Sequence, residues 1–208
     1  MKFQRLFLAN LFMAASIVSA ASAGDVVYRF KAELAHVSIS PPPTSLSAKA
    51  AEIPVITGNF GFSPGAERIA GASDPGRVAF ADYATGSITI DQFDISALGG
   101  EIATQIRDGV TQTADPKTTI PDQMTIGYRN FSAEGPIDSL TLEMLYKNAD
   151  ILENAAIPSS LNFEEFASIR LLFSTRIDGS GNRYDKVSGS VEVLGLVSFR
   201  VTAMEQIK

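Results

Sequence analysis

Apolar residues recur at every second position through much of this chain. In Asp25–Ser40 the positions Val26, Tyr28, Phe30 and Ala32 share one parity, and Leu34 and His36 continue it. Alternation carried by Val, Tyr and Phe predicts a strand with one buried face. It should end at Pro41–Pro43, because proline donates no ladder hydrogen bond. The small, polar residues 44–52 read as a loop. Ile53–Pro64 reads as a second strand, in which Gly58 and Gly61 point to a bulge or a close backbone approach. Residues 65–85 are rich in turn formers and read as a long loop with a short paired segment around Val78–Phe80.

Gly86–Ser96 is a clear strand, with Ile88, Ile90 and Gln92 on one side. Residues 97–123 are undecided between a strand at "GEIATQIRD" and a short helix. Met124–Ser132 reads as a strand. In Asp138–Lys147 the residues Leu140, Leu142, Met144 and Tyr146 alternate with polar partners. Leu, Glu, Met and Lys also favour helix, and the strict period of two decides for strand. "LNFEEF" suggests one helical turn capped by Ser160. Ser168–Ile177 is a strand, and Arg183–Val201 holds one or two more. Seven to nine strands with glycine-rich turns and little helix predict an all-β chain, a single β-sandwich or jelly-roll-like domain over residues 24–208.

The first 23 residues have a different character. Lys2 and Arg5 precede an apolar run, and Ala21–Ala23 supplies small residues after it. Charge, apolar stretch and small-residue site in that order predict a signal peptide over residues 1–23. A membrane anchor would need about 20 apolar residues, and this run is shorter. The expected location is secreted or periplasmic, with no membrane span after cleavage. Cleavage would remove two positive charges, taking the formal charge from −6 to −6 − 2 = −8. An acidic chain without a Lys/Arg cluster is a poor partner for nucleic acid. The absence of cysteine rules out disulfides and thiolate chemistry, so a packed core must supply the stability.

Several segments together resemble a known group. They are "YRFKAEL", then "VITGNFGFSP", "ATGSITID", "PSSLNFEEFASIRLLFS" and "DKVSGSVEVL". Their order is similar to that in bacterial exported β-sandwich proteins that often carry a Pro-Glu-Pro sorting tail. That tail is absent here, the chain ending in "VTAMEQIK". The resemblance implies a β-sandwich, export, and release rather than anchoring. It implies no catalytic residues.

The candidate chemistry is sparse. "DGSGN" at 178–182 has a carboxylate, a hydroxyl and an amide at loop positions one, three and five, but Gly189 stands where a calcium loop needs a bidentate Glu. It reads as a hairpin turn, with Asp178 and Asp185 kept as calcium candidates. His36 is the single histidine, and no G-x-S-x-G elbow accompanies it. The carboxylates Asp82, Asp91, Asp94, Glu143, Glu164 and Glu165 include candidates for a glycosidase-type pair. Without tryptophan, Tyr83 and Tyr184 are the candidate ligand-stacking rings. "GASDPG" lacks the lysine and helix of a phosphate loop. No cofactor is expected. The composite expectation is a non-catalytic binding or structural module of the cell envelope or extracellular matrix, contacting polysaccharide or an envelope protein. The alternatives are a secreted polysaccharide hydrolase using two carboxylates and a subunit of an extracellular assembly.

Overall fold

The computed structural model describes residues 25–39, 41, 43–72, 79–95, 98, 101–112, 118–129, 137–149, 151–152, 155–178 and 191–208. Residues 1–23, expected from the sequence to be a signal peptide, lie outside them. The strands are β1 (Val26–Ile39), β2 (Val55–Phe62), β3 (Arg68–Ala72), β4 (Ala79–Tyr83), β5 (Ser87–Ile90), β6 (Glu101–Asp108), β7 (Val110–Gln112), β8 (Thr118–Ile120), β9 (Gln123–Arg129), β10 (Ile137–Tyr146), β11 (Phe166–Asp178) and β12 (Val191–Gln206). One short helix, α1 (Leu46–Ala51), follows β1, and a 3-10 turn occupies Phe163–Glu165. The chain is all-β, as its periodicity predicts.

Ten strands form one antiparallel sheet in the order β3-β4-β6-β9-β10-β11-β12-β1-β2-β5, and β7 and β8 form a small separate hairpin. Instead of two separate sheets facing each other, a single hydrogen-bonded sheet curls around the core. Chain connectivity requires the curl. β4 and β5 stand eight positions apart in the sheet, which in a flat sheet is about 38 Å at about 4.8 Å per strand. Yet only residues 84–86 join them, a reach of about 14 Å. The two ends of the sheet must therefore come together.

The joining segment crosses the inner face. Gly86 has φ +146°, and a Cβ there would lie 2.6 Å from Ile102 Cγ2 and 3.1 Å from Ile126 Cγ2, so glycine is required on both counts. Thr104, fully buried, donates its hydroxyl to Thr85 O at 2.9 Å. Gly58 serves a close approach, the second of the two readings that its place in a strand suggests. A Cβ there would sit 2.0 Å from Thr89 O of β5, while the β1–β2 register runs without a shift.

Alternation decides which residues enter the core. Val26, Tyr28, Phe30 and Ala32 are buried, as are Leu140, Leu142, Met144 and Tyr146. Inner side chains line up across strands: Tyr83, Thr104, Ile126, Leu142, Leu171 and Phe199 are successive register partners. Each such aliphatic or aromatic side chain contributes about 1.5–3 kcal/mol by full burial. The parity fails after Ala32. β1 and β12 are offset between Lys31 and Ala32 and again between Leu34 and His36, and His36 ends up exposed.

Residues 44–52, read as a loop from composition, contain α1. Ser45 caps it, accepting from Ala48 N at 3.1 Å, and Leu46, Ser47 and Ala50 are buried. Asp138 and a run of hydroxyls dock the helix. Leu46 N donates to Asp138 Oδ2 at 3.0 Å, Thr175 Oγ1 donates to Asp138 Oδ1 at 2.6 Å, and Ser47 and Thr175 hydroxyls meet at 2.6 Å. The 3-10 turn is likewise capped by Asn162, whose side chain accepts from Glu164 N, and not by Ser160. Residues 65–85 hold more order than expected, since β3 and β4 pair there. "GEIATQIRD" is strand β6.

Asp122, between β8 and β9, is fully buried. It accepts from Gly109 N at 2.6 Å, Ile151 N at 2.8 Å and Leu152 N at 2.6 Å. The carboxylate thus satisfies three amides on two loops that have no ladder partner. Asp122→Ala should cost about 3 kcal/mol in urea unfolding, because stranded buried donors each cost about 1–3 kcal/mol. A loss below about 0.5 kcal/mol would mean that those amides find other partners.

Tyr146 is almost fully buried against Phe166, ring centroids 4.4 Å apart. Burial, with Glu165, Asp122 and Tyr28 nearby, pushes its hydroxyl far above the ordinary tyrosine range. Above about pH 10 an unfolded Tyr146 loses its proton while the folded one keeps it. Stability supplied by this group is therefore intact below pH 10 and is lost as pH rises, by about 1.4 kcal/mol per unit. Urea melts at pH 9–11 should show that slope, and Tyr146→Phe should reduce it. An unchanged slope in the variant would assign the alkaline loss to other groups.

Candidate outer-face site

The face of the sheet away from the core carries the side chains of opposite parity. Asp82, Gln105, Thr125, Glu143, Arg170, Arg200 and Glu33 are successive register partners on β4, β6, β9, β10, β11, β12 and β1. They form one polar row across seven adjacent strands. Gln105 Nε2 donates to Asp82 Oδ1 at 2.9 Å, and Arg170 Nη2 lies 3.1 Å from Glu143 Oε2. Cross-strand pairs of this kind hold long side chains in place.

One part of the face is indented. Gln105, Arg107, Gln123 and Thr125 line a cleft of about 270 Å³. The four form a block of two direct pairs, Gln105 with Thr125 and Arg107 with Gln123, on β6 and β9. Asp82 borders it through Gln105. Glu143 borders it on the other side, accepting from Gln123 Nε2 at 2.6 Å. The lining offers amides, a hydroxyl and a guanidinium, so it can exchange many hydrogen bonds with a polar ligand.

The carboxylates named in the sequence are dispersed. Asp82 and Glu143 share the polar row, but β6 and β9 lie between their strands. Three strand spacings separate the backbones by about 14 Å, and each carboxylate is held by a glutamine amide, Asp82 by Gln105 and Glu143 by Gln123. Asp91 is bonded to Thr57 Oγ1 at 2.7 Å and to Arg29 at 3.4 Å. Glu164 and Glu165 sit exposed in the 3-10 turn. His36 is exposed in β1 opposite Ser198. Among the described residues no three His, Asp or Glu side chains are grouped as metal ligands.

Tyr83 ends β4 with 8% of its surface exposed, and its hydroxyl donates to Ala155 O at 2.9 Å. Placed so, its ring packs in the core and has little face left for a ligand. Tyr184 and Asp185 lie outside the described residues, as does "VSGS" at 187–190. Asp178 closes β11, paired with Val191 of β12. Antiparallel strands thus flank the "DGSGN" segment, whose residues 179–182 are also outside the described set. Sequence reasoning passed over Gln105, Arg107, Gln123 and Thr125. Their shared signal is polar outward parity in β6 and β9, and nothing local marks those two strands as neighbours.

Glu143→Gln should change the unfolding free energy by less than about 1 kcal/mol, because a solvent-screened ion pair contributes little. Urea unfolding checks this. A loss of several kcal/mol would make the row a structural brace instead of a free surface.

Comparison with family models, with curated proteins and with solved structures gives no match.

Proposed function

We propose that this chain is an exported, non-catalytic binding module whose outer sheet face contacts polysaccharide. The observation that carries the reading is the polar row from Asp82 to Glu33. Six strand spacings of about 4.8 Å make it a strip about 29 Å long, a length suited to an extended chain ligand. Its groups are those that exchange hydrogen bonds with sugar hydroxyls, and the cleft on β6 and β9 interrupts it at one place. The export half of the reading rests on the order of charge, apolar run and small residues in 1–23. Asp82 and Glu143 are each held by a glutamine amide, which favours binding over two-carboxylate hydrolysis.

The test is the melting temperature of residues 24–208 against a panel of polysaccharides, each with calcium and with chelator. A ligand of the folded state stabilises it by about 2.7 kcal/mol at a hundredfold excess over Kd. A glycan should raise the melting temperature, and the rise should shrink in Gln105→Ala and Thr125→Ala. No shift with any glycan would overturn the reading. A shift with calcium alone would instead restore Asp178 and Asp185 as ligands.

A further inference from the structure

Among the described residues Arg107 forms no ion pair, although it belongs to an acidic chain. Its register partner on β9 is the neutral Gln123. The two nearest carboxylates of the row are already engaged, Asp82 by Gln105 and Glu143 by Gln123 and Arg170. Its Nε is buried without a hydrogen-bond partner, an arrangement that costs free energy in the ligand-free protein. The side chain is half-buried and lines the cleft. A guanidinium that lines the cleft beside two amides and a hydroxyl, with no carboxylate among the described residues bonded to it, can donate from its Nη atoms to an oxyanion.

We propose that the Arg107 cleft is a subsite for a single carboxylate on a sugar chain, so that the ligand is a uronic-acid-containing glycan. This rests on the reading of the outer face as a polysaccharide surface and adds the ligand's charge to it. In the complex the carboxylate accepts from the Arg107 guanidinium, and neighbouring sugar hydroxyls exchange hydrogen bonds with Gln105, Gln123 and Thr125. The formal charge of residues 24–208, −6 − 2 = −8, repels densely charged polymers over a Debye length of about 8–10 Å. The subsite therefore selects a ligand with local, spaced charge and rejects nucleic acid.

The experiment compares a short neutral-sugar oligomer carrying one galacturonate residue with its methyl-esterified form, which keeps the sugar and removes the charge. Titrations use residues 24–208 as wild type, Arg107→Gln and Arg29→Gln. Arg29 lies on β1, and Asp91 already meets its charge, so both variants change the net charge equally. The acid oligomer should bind about tenfold to a hundredfold tighter than the ester, the range of a charge-assisted hydrogen bond. That preference should vanish in Arg107→Gln and persist in Arg29→Gln. A melting temperature of the free Arg107→Gln variant no lower than that of the wild type confirms that it is folded. Equal binding of acid and ester overturns the subsite and leaves the polysaccharide reading standing. Equal loss in both variants makes the preference a bulk-charge effect and also overturns it. If neither oligomer binds while another glycan in the panel does, the subsite alone fails. If no glycan binds, both fail.

Discussion

The short connections β2–β3 and β4–β5 constrain everything else in this molecule. Each joins one end of a ten-stranded sheet to the other, through residues 63–67 and 84–86. Chain reach forbids those crossings in a flat sheet, so the sheet must curl. The curl creates an inside, which the alternating apolar residues fill. It also makes Gly86 necessary, since the crossing segment presses on Ile102 and Ile126. The first and last strands of the chain, β1 and β12, pair side by side within the sheet. Pairing of such distant segments gives this fold a high contact order, the regime of slower folding.

A curled sheet has open ends and loops that leave the ladder, and two carboxylates manage them. Asp138 receives Leu46 N and Thr175, fastening α1 onto β10 and β11. Asp122 gathers amides from residues 109, 151 and 152. Both are buried or partly buried acids in a chain whose other described carboxylates mostly face solvent. Their cost of desolvation is offset by hydrogen bonds to the charged form. Acidity in this protein therefore has two roles, joining elements inside and keeping the surface wet outside.

Once the core and its joints have taken their share, the outer face carries the polar residues that remain. Its residues are fixed in order by strand register, which makes the row from Asp82 to Glu33 rigid in a way that loop residues are not. A preformed array loses little freedom when a ligand arrives. Beside it Arg107 stands apart, since the register gives it the neutral Gln123 as its β9 neighbour.

The period of two in Val26–Ala32 and Leu140–Tyr146 determined by itself that the chain is all-β and which faces are buried, because parity is a local property of an extended backbone. The order of residues in 1–23 is equally local. Other features needed the tertiary structure. α1 is only six residues long, and so short a helix persists through its Ser45 cap and its docking, not through propensity. Asn162 outcompetes Ser160 as a cap because the 3-10 turn begins at Phe163. Asp122 looks like any surface acid until the loops at 109 and 151 are folded onto it. Most of all, Gln105 becomes the neighbour of Thr125, and Arg107 of Gln123, only when β6 pairs with β9. Which strands pair is decided by how the whole apolar set closes into one core, and no stretch of sequence holds that information alone.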